Sequence, residues 1–138
     1  MTTFLLLTLS AEPPFTYRQP LLEQVKAAAP AWAALDVDSF SDEHLIAYAA
    51  RLVREAGRVV AVFICGQPDA PLGACQQVLE EIILQTEKPA AIFVQGSHRR
   101  LQAIFRARPR FSWHQAETEA ALQGQLAGFL NQALQEPE

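Results

Sequence analysis

The sequence contains few of the residues that build disulfide frameworks or metal centres. Its 138 residues include only two cysteines, Cys65 and Cys75, and three histidines. Two cysteines do not make a disulfide framework, and no Cys/His spacing matches a zinc site. We therefore expect no metal site and no cofactor. Both thiols are predicted to be small buried side chains, and a reactive Cys75 at a helix start is the alternative.

Long hydrophobic runs and recognisable leader features are also missing. The apolar segment at residues 4–9 is too short to cross a bilayer, and neither a basic residue nor a small-residue cleavage site accompanies it. We expect a cytoplasmic protein with no membrane partner. The composition is 50% hydrophobic and 19% charged with a net charge of −4, which predicts a folded protein and disfavours nucleic acid as its partner.

Apolar segments alternate with helical patterns along the whole chain. Strand-like segments begin near residues 4, 35, 58, 89 and 111, and an amphipathic pattern follows each of them. This β-α alternation predicts a parallel sheet with right-handed crossovers. We expect residues 1–134 to form a single α/β domain and residues 135–138 to be a frayed tail.

The character of the five segments predicts their order in the sheet. Residues 4–9, 58–66 and 89–95 are continuously apolar, which is typical of strands buried on both faces. Residues 35–40 and 111–114 alternate between apolar and polar, which is typical of edge strands. The order 2-1-3-4-5 satisfies both conditions. It resembles the flavodoxin-like order of a three-layer α/β/α sandwich.

Such a sheet predicts where a ligand would bind. Ligands bind beyond the carboxyl ends of the strands, at the switch point between strands one and three. Glu12 and Asp69 are the candidate acid/base pair there, and a turn before Pro71 is the alternative role of Asp69. The candidate ligand-binding residues are Ser10, Tyr17, Arg18, Gly66, Gln67, Gly96, Ser97, His98 and Arg99.

The segment at residues 96–100 is the best candidate for binding an anion. Gly96 allows close approach to the backbone, helix amides point outward, and Arg99 and Arg100 are able to fork onto phosphate. The alternative is an ordinary helix start capped by Ser97. Similarly, Ser39 or Ser41 is expected to cap the helix that follows strand two.

Charge is unevenly distributed. No acidic residue occurs between Glu87 and Glu117, whereas six of the eleven basic residues do: Lys88, Arg99, Arg100, Arg106, Arg108 and Arg110. A patch at residues 99–110 suits an acidic protein partner or a phosphate-bearing small ligand. The alternative is a solvated surface paired with acidic residues of the preceding helix. The last helix is long, and any part of its apolar stripe, which includes Leu134, that one sheet face leaves exposed would suggest a homodimer.

Two interpretations of function stay open. The first is a non-enzymatic regulatory or protein-interaction module, since no catalytic motif is recognisable. The second is a small nucleotide- or nucleoside-handling enzyme, a hydrolase or glycosyl transferase, with its site at the carboxyl ends of strands one, three and four. The topology is shared with nucleoside deoxyribosyltransferases and Toll/interleukin-receptor-type domains. The latter carry a catalytic glutamate on the helix after strand three, where this chain has Cys75, Gln76 and Gln77, with Glu80 displaced.

FMN is disfavoured because residues 10–18 contain no glycine and hold Pro13 and Pro14. The backbone of such a loop cannot wrap a phosphate.

Overall fold

The structure is a computed structural model that describes residues 1–11, 20–85 and 87–135. Strands and helices alternate along these residues as the sequence predicts. The strands β1 to β5 are Thr2–Leu9, Ala33–Asp38, Arg58–Cys65, Ala90–Gln95 and Phe111–Ala116. The helices α1 to α5 are Pro20–Ala28, Glu43–Glu55, Cys75–Leu84, Arg99–Arg106 and Glu119–Gln135.

The five strands form one parallel sheet in the order β2-β1-β3-β4-β5. This arrangement confirms the predicted flavodoxin-like order and the three-layer α/β/α architecture. The pairing of β1 with β3 runs over eight residue pairs, from Thr2 opposite Arg58 to Leu9 opposite Cys65. The order of the strands reverses at this pair, so the loops after β1 and β3 begin side by side at one edge of the sheet.

The central strands are buried on both faces. Successive side chains of β1 point to opposite sides, so Leu5 and Leu7 join the core beneath α2, α3 and α4, whereas Phe4 and Leu6 join the core beneath α1 and α5. Strands β3 and β4 follow the same alternation. Strands β2 and β5 bury only part of their residues, which confirms that they are edge strands.

Two local predictions, both of helix caps, were wrong. The N-cap of α2 is Asp42, whose Oδ1 accepts a hydrogen bond from the Leu45 N–H at 2.9 Å, and not Ser39 or Ser41. The N-cap of α4 is His98, and not Ser97.

Leu134 is 48% exposed, although Leu122, Leu126 and Leu130 on the same helix are buried. The apolar stripe of α5 is therefore mostly covered by its own sheet. No helix of the described residues is long and apolar enough to span a membrane.

Gly96, directly after β4, has a backbone that requires glycine. Its φ is +86°, and a Cβ built there would lie 2.7 Å from the carbonyl oxygen of Cys65 at the end of β3. Both the left-handed conformation and the contact exclude a side chain. Gly66 differs, because a Cβ at that position meets nothing within 4 Å and its φ is not positive.

We predict that Gly96→Ala lowers the free energy of unfolding by about 1–3 kcal/mol through backbone strain. Gly66→Ala is the matched control and should change it by less than about 0.5 kcal/mol, because its site is open. Urea unfolding followed by circular dichroism measures both values. Equal stability of the two variants would contradict the positions assigned to these glycines.

Candidate ligand cleft and arginine surface

A cleft of about 380 Å³ lies between the carboxyl ends of β1 and β3. The cleft lies at the switch point between β1 and β3, where the sequence predicts a ligand-binding site. The structure brings together three of the predicted ligand-binding residues there, Ser10, Gly66 and Gln67. The lining consists of Leu9, Ser10, Ala11, Gly66, Gln67 and Ala70. Among the described residues, this lining carries no ionisable side chain.

Ser39 connects the two sides of this region. Its hydroxyl donates a hydrogen bond to the carbonyl oxygen of Pro71 at 2.8 Å and accepts one from the Ser10 N–H at 3.3 Å. Its carbonyl oxygen accepts a further bond from the Ala74 N–H at 3.0 Å. The end of β1, the end of β2 and the loop between β3 and α3, residues 66–74, are therefore joined through one buried serine. This role of Ser39 was not recognisable from the sequence, because a serine after a strand also fits a helix cap.

His98 attaches the β3–α3 loop to the start of α4. The side chain is only 2% exposed. Its Nε2 lies 2.7 Å from the carbonyl oxygen of Ala70, and its Nδ1 lies 3.4 Å from the backbone nitrogen of Leu101. The carbonyl needs a donor and the N–H needs an acceptor, so Nε2 donates to the Ala70 carbonyl oxygen and Nδ1 accepts from the Leu101 N–H. His98 was predicted to bind a ligand, and both of its ring nitrogens are hydrogen-bonded within the chain.

The predicted anion site at residues 96–100 also uses its backbone donors internally. The Gly96 N–H donates to the Ala116 carbonyl at 2.8 Å, and the Arg99 N–H donates to the Pro68 carbonyl at 2.9 Å. The Leu101 N–H is bonded to His98. Ser97 is exposed beside them. The start of α4 is thus attached to β5 and to the β3–α3 loop.

Several predicted site residues lie apart from the cleft or outside the described residues. Asp69 is exposed on the β3–α3 loop. Glu12, Tyr17 and Arg18 lie outside the residues that the structure describes. The acid/base role of Glu12 and Asp69 therefore stays a prediction.

Of the two thiols, Cys75 is buried and Cys65 is partly buried. Cys75 is 0% exposed, and burial together with the negative charge of Asp38 raises its pKa to about 12. Burial also raises the pKa of Cys65 to about 12. Almost no thiolate forms at neutral pH, so the geometry favours small buried side chains over a reactive Cys75.

The three histidines occupy separate surroundings. His44 is exposed on α2, and His98 lies beneath the β3–α3 loop. His114 on β5 stacks on Phe93 with ring centroids 4.5 Å apart, and burial lowers its pKa. Among residues 1–11, 20–85 and 87–135, no group of three or more His, Cys, Asp or Glu is placed to hold a metal ion.

The six basic residues of the acid-free segment divide into two groups, of which the first caps helix C-termini. The Lys88 ammonium donates to the carbonyls of Val53 and Arg54 at the end of α2. The Arg110 guanidinium donates to the carbonyls of Ile82 and Ile83, at 3.2 Å and 2.8 Å, at the end of α3. Similarly, Arg108 donates to a carbonyl near the end of α4. Cations at these positions satisfy unpaired carbonyls and complement the helix dipole.

The second group consists of Arg99, Arg100 and Arg106, which are exposed on α4. We call these three residues the α4 arginine surface. Arg100 donates a hydrogen bond to the side-chain amide oxygen of Gln76 at 3.1 Å, so it contacts α3 through a neutral group. Within the described part of the chain, none of the three forms an ion pair with a carboxylate. The expected pairing with acidic residues of α3 is therefore not formed.

A scan against known protein families found no match to this chain, and searches of curated proteins and of solved structures found none either.

We predict that His98→Ala lowers the free energy of unfolding by about 2–4 kcal/mol, because the change removes a helix cap and leaves the buried Ala70 carbonyl without its donor. Ser97→Ala is the adjacent control and should be nearly neutral, because Ser97 is exposed and is not the cap. Thermal and urea unfolding measure the loss of stability in each of the two variants. A larger loss for Ser97→Ala would contradict the assigned cap.

Proposed function

We propose that this protein is a non-enzymatic interaction module that binds an acidic segment of a partner protein through the α4 arginine surface. The observation that carries the proposal is the set of exposed arginines on one short helix, without carboxylate partners among the residues that the structure describes, in a chain whose net charge is −4. Exposed arginines are suited to pair with the carboxylates of another chain.

The spacing of the arginines supports this choice of partner. Arg99 and Arg106 are seven residues apart on α4, which places them about 10 Å apart along the same side of the helix. Ala103 lies between them, is exposed, and leaves room for a second chain. Carboxylates two turns apart on a partner helix match this distance. Exposed ion pairs contribute only about 0.2–1 kcal/mol each, so the binding is expected to be weak and sensitive to salt.

The rigid attachment of α4 also supports a recognition role. His98 and the Arg99 N–H join the start of the helix to the β3–α3 loop, so the position of the helix that carries the arginines is set before a partner arrives. A surface that is ordered in advance loses less entropy on binding.

We predict that a fluorescently labelled glutamate-rich peptide binds the protein at low salt. The double variant Arg99→Glu with Arg106→Glu should weaken this binding at least tenfold, because it replaces attraction by repulsion. The control, Lys26→Glu with Arg51→Glu, changes the net charge equally on α1 and α2 and should leave most of the affinity. Fluorescence anisotropy measures the three dissociation constants. Equal losses for both double variants, or no binding by the wild type, would contradict the proposal.

A second candidate function is favoured by the cleft at the switch point. Its volume of about 380 Å³ suits a small ligand, and Ser10, Gly66 and Gln67 supply hydroxyl, backbone and amide groups. A nucleotide, a nucleoside or another phosphate-bearing small molecule is the ligand class for this candidate. If the protein is an enzyme, Glu12 and Asp69 are its acid/base residues, and the reaction is a hydrolysis or a glycosyl transfer.

For this second candidate, we predict that a nucleoside or nucleotide raises the Tm of the wild type but not that of Gly66→Val. The valine fills the cleft and needs no strained backbone, because the Gly66 site is open. Gly124→Val, on the exposed side of α5, is the control and should keep the ligand response. A thermal-shift series with nucleosides, nucleotides and inorganic phosphate measures the change in Tm of each variant. An unchanged response of Gly66→Val would exclude the cleft as the site.

A further inference from the structure

An acidic groove lies across α3 from the α4 arginine surface. It runs between α2 and α3, has a volume of about 530 Å³, and carries the carboxylates of Glu43 and Glu80 with the amides of Gln76 and Gln77. We call it the α2–α3 groove. Both carboxylates are exposed. Glu80 accepts a hydrogen bond from the Gln76 amide at 3.0 Å and forms no ion pair with the described residues.

Helices α2, α3 and α4 form one layer, and the charged groups on its α2 side differ in sign from those on its α4 side. Ile46 of α2, Val78 of α3 and Leu101 of α4 all pack into the same core on one face of the sheet. The crossovers place α3 between the other two helices, and neighbouring packed helices lie about 8–10 Å apart. On the α2 side, Arg51 and Arg54 are paired with Glu55 and Glu81, so the carboxylates of Glu43 and Glu80 remain without an ion pair among the described residues. On the α4 side, the charges without such a pair are arginines.

We propose that the outer face of α2, α3 and α4 is the interface of a homodimer whose two-fold axis runs along α3. The proposal rests on the proposed function, because the second copy supplies the acidic groups that the α4 arginine surface binds. Rotation by 180° about an axis parallel to α3 carries α2 of one copy onto α4 of the other. It keeps the height of every residue along the axis. A layer that is acidic on one side of the axis and basic on the other is therefore complementary to itself.

This rotation brings together residues of opposite charge at two places. Glu43 is the first residue of α2, and Arg99 is the first residue of α4, at the same edge of the sheet. Glu43 of one copy therefore faces Arg99 of the other. Glu80 and Arg100 are both hydrogen-bonded to Gln76 of their own copy, close to the axis, so two Glu80 carboxylates and two Arg100 guanidiniums meet there as one cluster of balanced charge. The pair of Glu43 with Arg99 occurs twice in the dimer.

Exposed apolar side chains on the same face add to the interface. Leu84 on α3 is 69% exposed, and Tyr48 on α2 is 48% exposed. Gln77, Glu80 and Leu84 follow each other at helical spacing on the outer side of α3. An axis along α3 brings Leu84 next to Leu84 of the second copy, where both lose contact with water.

The size of the face indicates a weak dimer. Helices of 13, 10 and 8 residues form a layer of about 500 Å² per copy when each is taken as about 10 Å wide. Typical stable interfaces bury about 800 Å² per partner. We therefore expect association in the micromolar range that decreases with added salt.

Charge reversal tests the dimer. The basic-side variant is Arg99→Glu with Arg100→Glu, and the acidic-side variant is Glu43→Lys with Glu80→Lys. Each variant alone should associate at least tenfold more weakly than the wild type, because like charges meet at both places. An equimolar mixture of the two should again form dimers, since every facing pair in the mixed dimer has opposite charges.

Sedimentation equilibrium over a wide range of concentrations, at low and high salt, gives the mass of each sample. Lys26→Glu on α1 and Glu117→Lys before α5 are single-charge controls on other surfaces and should dimerise like the wild type. Circular dichroism checks that each variant is folded, and the mixture tests pairing independently of the stability of either variant. A wild type that stays monomeric at the highest concentration overturns the proposal. A mixture that stays monomeric also overturns it. A wild-type mass that continues to grow past the dimer overturns the two-fold arrangement.

The same variants separate this proposal from the proposed function. The acidic-side variant keeps its arginines and should bind the glutamate-rich peptide at least as tightly as the wild type. Peptide binding by a wild type that never dimerises would overturn only the homodimer. Dimerisation without peptide binding would overturn only the binding of other acidic partners.

Discussion

The parallel pairing of β1 with β3 is the constraint on which the rest of the structure depends. Both strands are buried on both faces, so their backbone groups have no access to water and must bond to neighbouring strands. Strand β1 satisfies its other edge with β2, and β3 satisfies its other edge with β4. The two outer neighbours thus lie on opposite sides of the central pair. The cleft between the loops after β1 and β3 is a direct consequence of this division.

Hydrogen bonds then determine the form of the loops at this edge. Ser39 joins the ends of β1 and β2 to the β3–α3 loop, and His98 joins the same loop to α4. These two buried polar side chains make bonds on both sides, which is the condition under which burying them is tolerated. Through His98, the wall of the cleft and the start of the arginine-bearing helix belong to one connected unit.

The sequence was sufficient to predict the order of the strands but not the details of the loops. The difference between continuously apolar and alternating segments reports directly whether one or both faces of a strand are buried, and this predicted the positions of β2 and β5. The caps were not predictable in the same way. Ser39, Ser41 and Asp42 are all able to cap α2, and the choice depends on the direction in which the chain enters the helix. His98 is recognisable as a cap only when its partner Ala70, 28 residues earlier, is known to lie beside it.

The candidate sites, too, were predictable from the sequence only in part. Ser10, Gly66 and Gln67 meet at the cleft because strand ends alone determine their positions. The basic segment was identified from its composition, but composition could not separate its structural cations from its surface ones. Lys88 and Arg110 reach carbonyls at the ends of α2 and α3, which are distant in sequence. Only the folded arrangement shows that Arg99, Arg100 and Arg106 are exposed on α4 and form no ion pair within the described part of the chain.

The pairing of β1 with β3 is tested most directly by nuclear Overhauser contacts between strands in the isotope-labelled protein. The structure predicts contacts between Leu5 and Ala61, between Leu5 and Leu35, and between Ala61 and Ile92. Contacts between Thr2 and Cys65 in place of those between Leu5 and Ala61 would indicate antiparallel strands. That result would contradict the fold, the cleft and the helical layer together.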